Sequence, residues 1–371
     1  MMQSDGQITR ICKAVDAWLG NESGLLEQAR ERTISDGLFT LHDVGHMLEQ
    51  VARTVTCEAI TAWVEKSRDS YAVQNSGRKD SAVYDKNVLC LHAGNLPMIG
   101  LQDIIATLLS GARYHGKLSA RDPWLLDGLL RLLQKQLPEN VITWSTNLDD
   151  FEELRADRIL FAGSEASVEP VTSRLWELRA AGKAARFLNR TARFSIAWLS
   201  GKDVEELRNK TSGAESPGLL NDLVEAVMRY EGRGCRSVAV VVAPCELSDV
   251  AGTLIPALQD YVKKYPFLHS IKPEKSYWAS YLETMDRDFF ESGPIILTGD
   301  TDLMGKEDVV CWISGDAMTV QQIFEKAGPK VQSIYTVENP LPLYTEALSR
   351  AQKPPIDWKP DGVDVLRWLS G

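Results

Sequence analysis

The 371-residue sequence lacks most of the features that would assign it to a class at once. No apolar run approaches the roughly 18–20 residues that cross a bilayer, so no membrane-spanning segment is expected. The opening MMQSDGQITRICKAVDAW lacks the basic-then-apolar order of an export signal, and the expectation is a cytoplasmic protein. Basic charge is in deficit: 41 Lys and Arg stand against 51 Asp and Glu, a net charge of −10. A general nucleic-acid or membrane-surface binder would carry the opposite sign. Cys12, Cys57, Cys90, Cys235, Cys245 and Cys311 are scattered and form no CxxC pair, which predicts reduced thiols and neither a disulfide frame nor a zinc site. His42 and His46 have a helical metal-ligand spacing, but Asp43 stands where HExxH has Glu and no third ligand is apparent. A solvated helix edge is expected there, and no metal. GxGxxG is absent, which removes the ordinary dinucleotide fingerprint. What remains is a chain with 44% hydrophobic and 25% charged residues, ample for a buried core and at least two domains.

The texture of the chain divides it. Over residues 1–80, Ile8, Ile11, Cys12, Val15, Trp18 and Leu19 recur at helical steps, as do Leu41, Val44, Met47, Leu48 and Val51. The polar stretch 75–80 (NSGRKD) reads as a boundary. Over 81–210 the pattern becomes strand, turn, helix. Apolar runs at 88–93, 141–144 and 159–162 alternate with helical stretches at 99–111, 123–137, 148–155 and 165–180. That alternation predicts a parallel sheet covered by helices on both faces, with ligands at the carboxyl ends of its strands. Residues 201–217 are polar and read as a linker. Over 211–345 the alternation resumes: helix 219–230, strand 238–243, helix 247–262 with a kink or restart at Pro256, strands 294–298, 309–313 and 331–337, and helix 318–326. The tail, 346–371, reads as a packing or oligomerisation segment.

One turn concentrates chemistry: Tyr230-Glu-Gly-Arg-Gly-Cys235-Arg-Ser, between a helix and a β-branched strand. Gly232 and Gly234 permit positive φ and close approach of a ligand. Arg233 and Arg236 put positive charge near the thiol in sequence, which favours the nucleophilic thiolate or serves phosphates instead. Gly-Arg-Gly-Cys resembles the Gly-Gln-x-Cys nucleophile loop of the aldehyde dehydrogenase superfamily. It is most similar to the acyl-CoA reductase branch, related to the luminescence-type fatty-acid reductases. Other turns extend the resemblance. Asn95-Leu96-Pro97 looks like the family's Asn-x-Pro turn, whose Asn helps bind the substrate oxyanion. Lys117-Leu118-Ser119-Ala120 looks like the Lys-Pro-Ser-Glu segment that holds the adenosine ribose, and Phe161-Ala-Gly163-Ser164 like the Phe-Thr-Gly-Ser turn beside the cofactor phosphates. The tail carries a similar Gln-x-Pro segment, at Gln352, and Asp361-Gly-Val-Asp364. The resemblance runs from about Val88 to the C-terminus; the N-terminal helices carry no family motif.

The resemblance implies an aldehyde-dehydrogenase-like α/β fold, with a cofactor-binding domain over 81–210 and a catalytic domain over 211–345, preceded by the helical segment. Cys235 and Asn95 are then the catalytic residues, Lys117, Ser119, Arg121, Gly163 and Ser164 bind the cofactor, and Gly232, Arg233, Gly234 and Arg236 support the nucleophile. Ala120 followed by Arg121, where the family has an acid, fits NADPH over NADH, because an acid there repels a 2′-phosphate. Trp198, laid on the family's Glu-Leu-Gly-Gly-Lys pattern, takes the place of the glutamate that activates water. That argues for reduction of a thioester over hydrolysis. The implied activity is NADPH-dependent reduction of a fatty acyl-CoA to the aldehyde, with coenzyme A as leaving group. Acyl-CoA or acyl-carrier protein is the implied substrate, a synthetase or ligase a potential partner, and a homo-oligomer the default assembly. Three alternatives stand: a cysteine acyltransferase or thioesterase without nicotinamide, a semialdehyde or acyl-phosphate reductase of the same superfamily, and a silent binding protein. His269 and Glu283 receive no role.

Overall fold

The computed structural model describes residues 5–72, 84–209, 218–267, 273–338 and 341–371, and these form two compact units. The first unit takes 1–191 together with 355–371, and the second takes 192–354. The expected boundary at 75–80 lies outside the described residues.

The first unit opens with α1 (Asp5–Leu19), α2 (Leu25–Ser35), α3 (Leu41–Thr54) and α4 (Cys57–Ala72). Thr40 starts α3 by a capping box: its hydroxyl accepts from Asp43 N, and the Asp43 carboxylate accepts from Thr40 N. Then follow β1 (Asn87–Leu91), α5 (Leu101–Leu109), β2 (Arg113–Lys117), α6 (Trp124–Gln136), β3 (Ile142–Ser145), β4 (Ala156–Ala162), α7 (Glu165–Glu177) and β5 (Ala181–Arg190). The strands form a five-stranded parallel sheet of order β3-β2-β1-β4-β5. The N-terminal helices are not a separate region. Trp18, Phe39, Val44, Ile60 and Trp63 share one core with Ile104, Leu108, Leu129 and Leu133. Burying an aliphatic side chain of this kind contributes about 1.5–3 kcal/mol, which fastens the helices to the sheet. The stretch 148–155 is a single turn of 3₁₀ helix, Leu148–Phe151, and not the helix expected. Cys12 and Cys57 are joined in a disulfide with Cα atoms 5.2 Å apart, which corrects the expectation that every thiol is free. The physical reason is the packing of α1 beside α4, which brings their cysteines within bonding reach.

The second unit contains β6 (Phe194–Trp198), α8 (Gly201–Asn209), α9 (Leu219–Met228), β7 (Val238–Ala243), α10 (Ser248–Lys264), α11 (Pro273–Thr284), β8 (Phe289–Ser292), β9 (Ile295–Thr298), β10 (Val309–Ser314), α12 (Ala317–Ala327), β11 (Val331–Thr336) and β12 (Glu346–Ala347). Its seven-stranded sheet has the order β12-β11-β6-β7-β10-β9-β8, parallel except that β8 runs against β9. β7, nearly continuous valine, lies between β6 and β10 and is buried on both faces, as the sequence pattern requires. Since β6 pairs with β7 and β11, the division falls at 191 and not at 210. The expected linker from 201 is helical through Asn209: Val204 and Leu207 are buried one turn apart, and the Asp203 carboxylate accepts from Ser200 N and Oγ. α10 runs through Pro256 without a restart.

The tail divides. Residues up to Pro354 stay with the second unit, while the rest rejoins the first, where Gln102 Nε2 donates to the Ile356 and Trp358 carbonyls. The chain closes with α13 (Val365–Ser370), whose Val365, Leu366 and Leu369 enter the first unit's core.

Candidate active site

In the first unit the chain leaves β1 toward β2 and β3 on one side, and later returns to its other side as β4 and β5. β1 and β4 therefore flank a topological switch point, where an open parallel sheet leaves a crevice beyond its strand ends. The turns there carry the residues singled out from the sequence. Asn95 lies exposed in the turn after β1, Lys117 ends β2, and Ser119 and Arg121 follow it. Gly163 and Ser164 join β4 to α7, and Ser164 is the N-cap of that helix without capping it by its side chain. A helix start of this kind favours a phosphate, because its N–H groups and dipole face the anion. Ser119 Oγ accepts from Arg121 N at 3.2 Å, which folds the ribose-type segment into a short loop.

Lys117 is the informative cation. It is half-buried, burial lowers its pKa from the ordinary lysine value, and its ammonium has no hydrogen-bond or ion-pair partner among the described residues. A partly desolvated ammonium without a counter-ion is costly in isolation and well matched to hydroxyl or phosphate oxygens of a ligand. Arg121 is exposed beside it. Lys117, Ser119, Arg121 and the start of α7 thus present cationic and N–H donors able to receive an anionic ligand.

In the second unit, α9 ends at Met228 and the backbone then passes through the left-handed region at Tyr230 (φ 55), Glu231 (φ 59) and Gly232 (φ 71). The conformation is free for Gly232 and costs roughly 1–2 kcal/mol for each of Tyr230 and Glu231. Buried side chains hold it: Tyr230 is 3% exposed and Glu231 1%. The loop delivers Cys235 to the amino end of β7, half-exposed, with its carbonyl accepting from Ser195 Oγ at 3.0 Å. The other free cysteines, Cys90, Cys245 and Cys311, are buried, and burial pushes their thiols up, that of Cys311 to about 12.

The two arginines hold the loop in place by specific contacts. Arg236 is buried; its Nη1 and Nη2 donate to the Glu346 carboxylate, its Nε to Ala351 O and its Nη2 also to Arg350 O, with the Tyr335 ring beneath. Arg233 Nε donates to Tyr230 O, and its Nη2 stands 3.6 Å from Glu231 Oε1. Each guanidinium faces a carboxylate, so neither supplies the uncompensated charge expected to favour the thiolate. Gln352 completes the anchorage, donating to Ala226 O and Ser237 Oγ.

A second expectation fails on geometry. Ser195, at the start of β6, lies against the Cys235 backbone, whereas Trp198 ends that strand and pairs in register with Val242. Trp198 therefore stands at the opposite end of the strand from the cysteine, and its indole cannot be the stand-in for a water-activating carboxylate. Glu231 was missed in the sequence; its signal is an acid inside a glycine-rich turn, four residues before the cysteine. His46 is buried in α3 and not on a solvated edge, and no metal-holding group of side chains occurs among the described residues. Glu283 is exposed, and His269 lies outside the described residues.

No protein-family model matches the chain, and no curated protein sequence does. Solved structures do match in fold. A lactaldehyde dehydrogenase superposes with a TM-score of 0.61 at 12% identity, covering 94% of this chain and 75% of that one. A putative methylmalonate-semialdehyde dehydrogenase from Sinorhizobium meliloti 1021, complexed with NAD, gives 0.60 at 13%, covering 94% and 74%. Aldehyde dehydrogenase 21 from Physcomitrella patens, complexed with the reaction product succinate, gives 0.59 at 12%, covering 89% and 72%. With its parallel sheets and the cysteine turn before β7, this chain has the aldehyde-dehydrogenase fold.

Proposed function

We propose that the protein is a nicotinamide-dependent oxidoreductase of the aldehyde dehydrogenase type, working as an acyl-CoA reductase that releases an aldehyde. The observation that carries the reading is Cys235: a half-exposed thiol on a left-handed loop braced by Arg233 and the buried Arg236, in a fold shared with aldehyde and semialdehyde dehydrogenases.

Cys235, as thiolate, attacks the thioester carbonyl; the new S–C bond forms as the bond to coenzyme A breaks, and coenzyme A departs as a thiolate. Its own backbone N–H is the proposed donor for the oxyanion of that addition. One such donor is worth about 3–4 kcal/mol in the transition state. NADPH, when bound, supplies the hydride that takes the acyl group to the aldehyde level. The resulting thiohemiacetal on Cys235 collapses to aldehyde and regenerates the thiol. Lys117, Ser119 and Arg121 hold the adenosine end, Arg121 favouring the 2′-phosphate, and Gly163 and Ser164 receive the phosphates. NADH would use the same residues less well. Delivery of the acyl group by a carrier protein or ligase, and assembly as a homo-oligomer, belong to the same proposal. A cofactor-free acyltransferase fits less well, because it needs a histidine base beside the thiol and none of the five histidines lies in a recognisable partner motif. The fold equally accommodates oxidation of an aldehyde, since the lactaldehyde and putative methylmalonate-semialdehyde dehydrogenases share it.

The test is NADPH consumption by the purified protein against acyl-CoA esters of increasing chain length, with aldehyde measured directly. Cysteine-dependent consumption with equimolar aldehyde is expected. Release of coenzyme A that proceeds through many turnovers without NADPH would make the protein a transferase or thioesterase instead.

A further inference from the structure

Beneath the turn that follows β1 lies a row of buried polar side chains that the chemistry above leaves unused. His92, the first residue past β1, is 5% exposed. Its Nε2 lies 2.7 Å from Tyr114 Oη on β2, and its Nδ1 3.9 Å from Asp103 Oδ2 in the first turn of α5. The same Asp103 oxygen accepts from Arg190 Nη2 at the end of β5. His92 Nδ1, Asp103 Oδ1 and Arg190 Nε are buried without a hydrogen-bond partner among the described residues. Each such atom costs about 1–3 kcal/mol, and well-packed apolar side chains in a buried ionic row are often no less stable. Stability therefore gives no account of the row.

Position does. His92 N donates to Lys117 O at 2.9 Å, tying the end of β1 to the end of β2. The ring then reaches the far side of the turn at Gly100, where a Cβ would stand 2.1 Å from His92 Nδ1 and φ is 109°. Only glycine fits both the contact and the conformation. Met98, between them, is also left-handed (φ 60). A Cβ on Gly94 would stand 2.0 Å from Ser119 Oγ, so the turns after β1 and β2 interlock. One imidazole thus touches both ends of the turn carrying Asn95, and its backbone holds the strand end carrying Lys117.

We propose that His92 is a positioning residue: clamped between Tyr114 and the Asp103–Arg190 pair, it fixes the turns after β1 and β2 in the form that receives the dinucleotide. The functional part rests on the dinucleotide reading above; the structural part stands without it. Burial lowers the His92 pKa to about 4, so the ring is neutral at physiological pH and the Asp103–Arg190 pair balances its own charge.

The experiment uses amide hydrogen exchange, NADPH titration and thermal unfolding on the full chain, for wild type, His92→Phe and His92→Gln. Phenylalanine fills the ring's space without its polar contacts; glutamine keeps a polar atom for Tyr114. Expected for His92→Phe is exchange faster by about tenfold or more at 93–100 and 117–121 alone, with NADPH affinity weaker by about the same factor and partial recovery in His92→Gln. Loosening throughout the first unit with unchanged affinity per folded molecule would overturn the proposal, since that is a core residue's behaviour. Unchanged exchange at 93–100 would overturn it equally. If wild type binds no NADPH, the dinucleotide reading fails, and the exchange pattern alone decides for or against His92.

Discussion

Cys235 owes its place to residues that do no chemistry. Arg236 reaches from the neighbouring position to the Glu346 carboxylate and two carbonyls, so the loop is bolted to the 346–352 segment. Removing one partner of a buried pair leaves the other charge uncompensated, at a cost of roughly 3–5 kcal/mol. Arg236→Ala is accordingly expected to lower the urea midpoint of the second unit strongly, whereas Arg236→Lys, keeping the charge but not the fork, falls between. A midpoint unchanged in Arg236→Ala would mean that the guanidinium is dispensable to the loop. At Gly232 the effect is conformational: Gly232→Ala puts a Cβ at φ 71 and is expected to cost about 1–2 kcal/mol while slowing any reaction of Cys235. Alkylation rates of Cys235, compared between the two proteins, check this. The sequence pointed to the loop because glycines and a cysteine between helix and strand are conspicuous. It could not reveal that Arg236 is a strut, because its partners lie more than a hundred residues away in Glu346 and Ala351.

Among the elements, β7 and β4 were readable from apolar runs and α6 from its periodicity, since one dominant burial pattern fixes each. β5 was not. It is an edge strand whose Lys183 and Arg186 face out, so its sequence AGKAARFLNR alternates too weakly to stand out from a loop. α8 was obscured in the same way by a polar surface around a narrow stripe of Val204 and Leu207. Leu207→Ala should cost about 2–4 kcal/mol, a size expected of a buried core leucine and not of a linker residue. Trp198 misled for a different reason: local similarity of a strand end to a motif carries no register, and register is what separates Trp198 from Cys235. The turns after β2 can be tested at this scale through cofactor choice. Arg121→Ser is expected to weaken NADPH by about tenfold while leaving NADH nearly unchanged, read by titration with each nucleotide. Equal losses for both would remove Arg121 from recognition of a 2′-phosphate.

Across the whole molecule, two buried histidines of the first unit set a shared pH dependence. Burial lowers both His92 and His115 from 6.5 to about 4; His115 is held neutral between Thr143 Oγ1 and Asn87 Oδ1. Because the folded values lie below the unfolded ones, the unfolded chain takes up protons that the folded chain refuses as pH falls through 6.5. Stability is therefore full above about 6.5 and declines toward 4, by on the order of 2 kcal/mol from each histidine at pH 5. Urea unfolding at pH 7 and pH 5 should show the decline, and His115→Gln should lose less between the two. A decline undiminished in that variant would place its origin in other groups. No described helix is long and apolar enough to cross a membrane, and the two units divide the proposed work, the first holding a dinucleotide and the second the nucleophile.

Whether Cys235 carries the acyl group can be read by mass spectrometry of the protein after incubation with acyl-CoA alone. One acyl adduct is expected, on the peptide containing Cys235, absent in Cys235→Ala and discharged by NADPH with release of an equal amount of aldehyde. An adduct on another cysteine, or no adduct in a protein that still consumes NADPH with acyl-CoA, would contradict it.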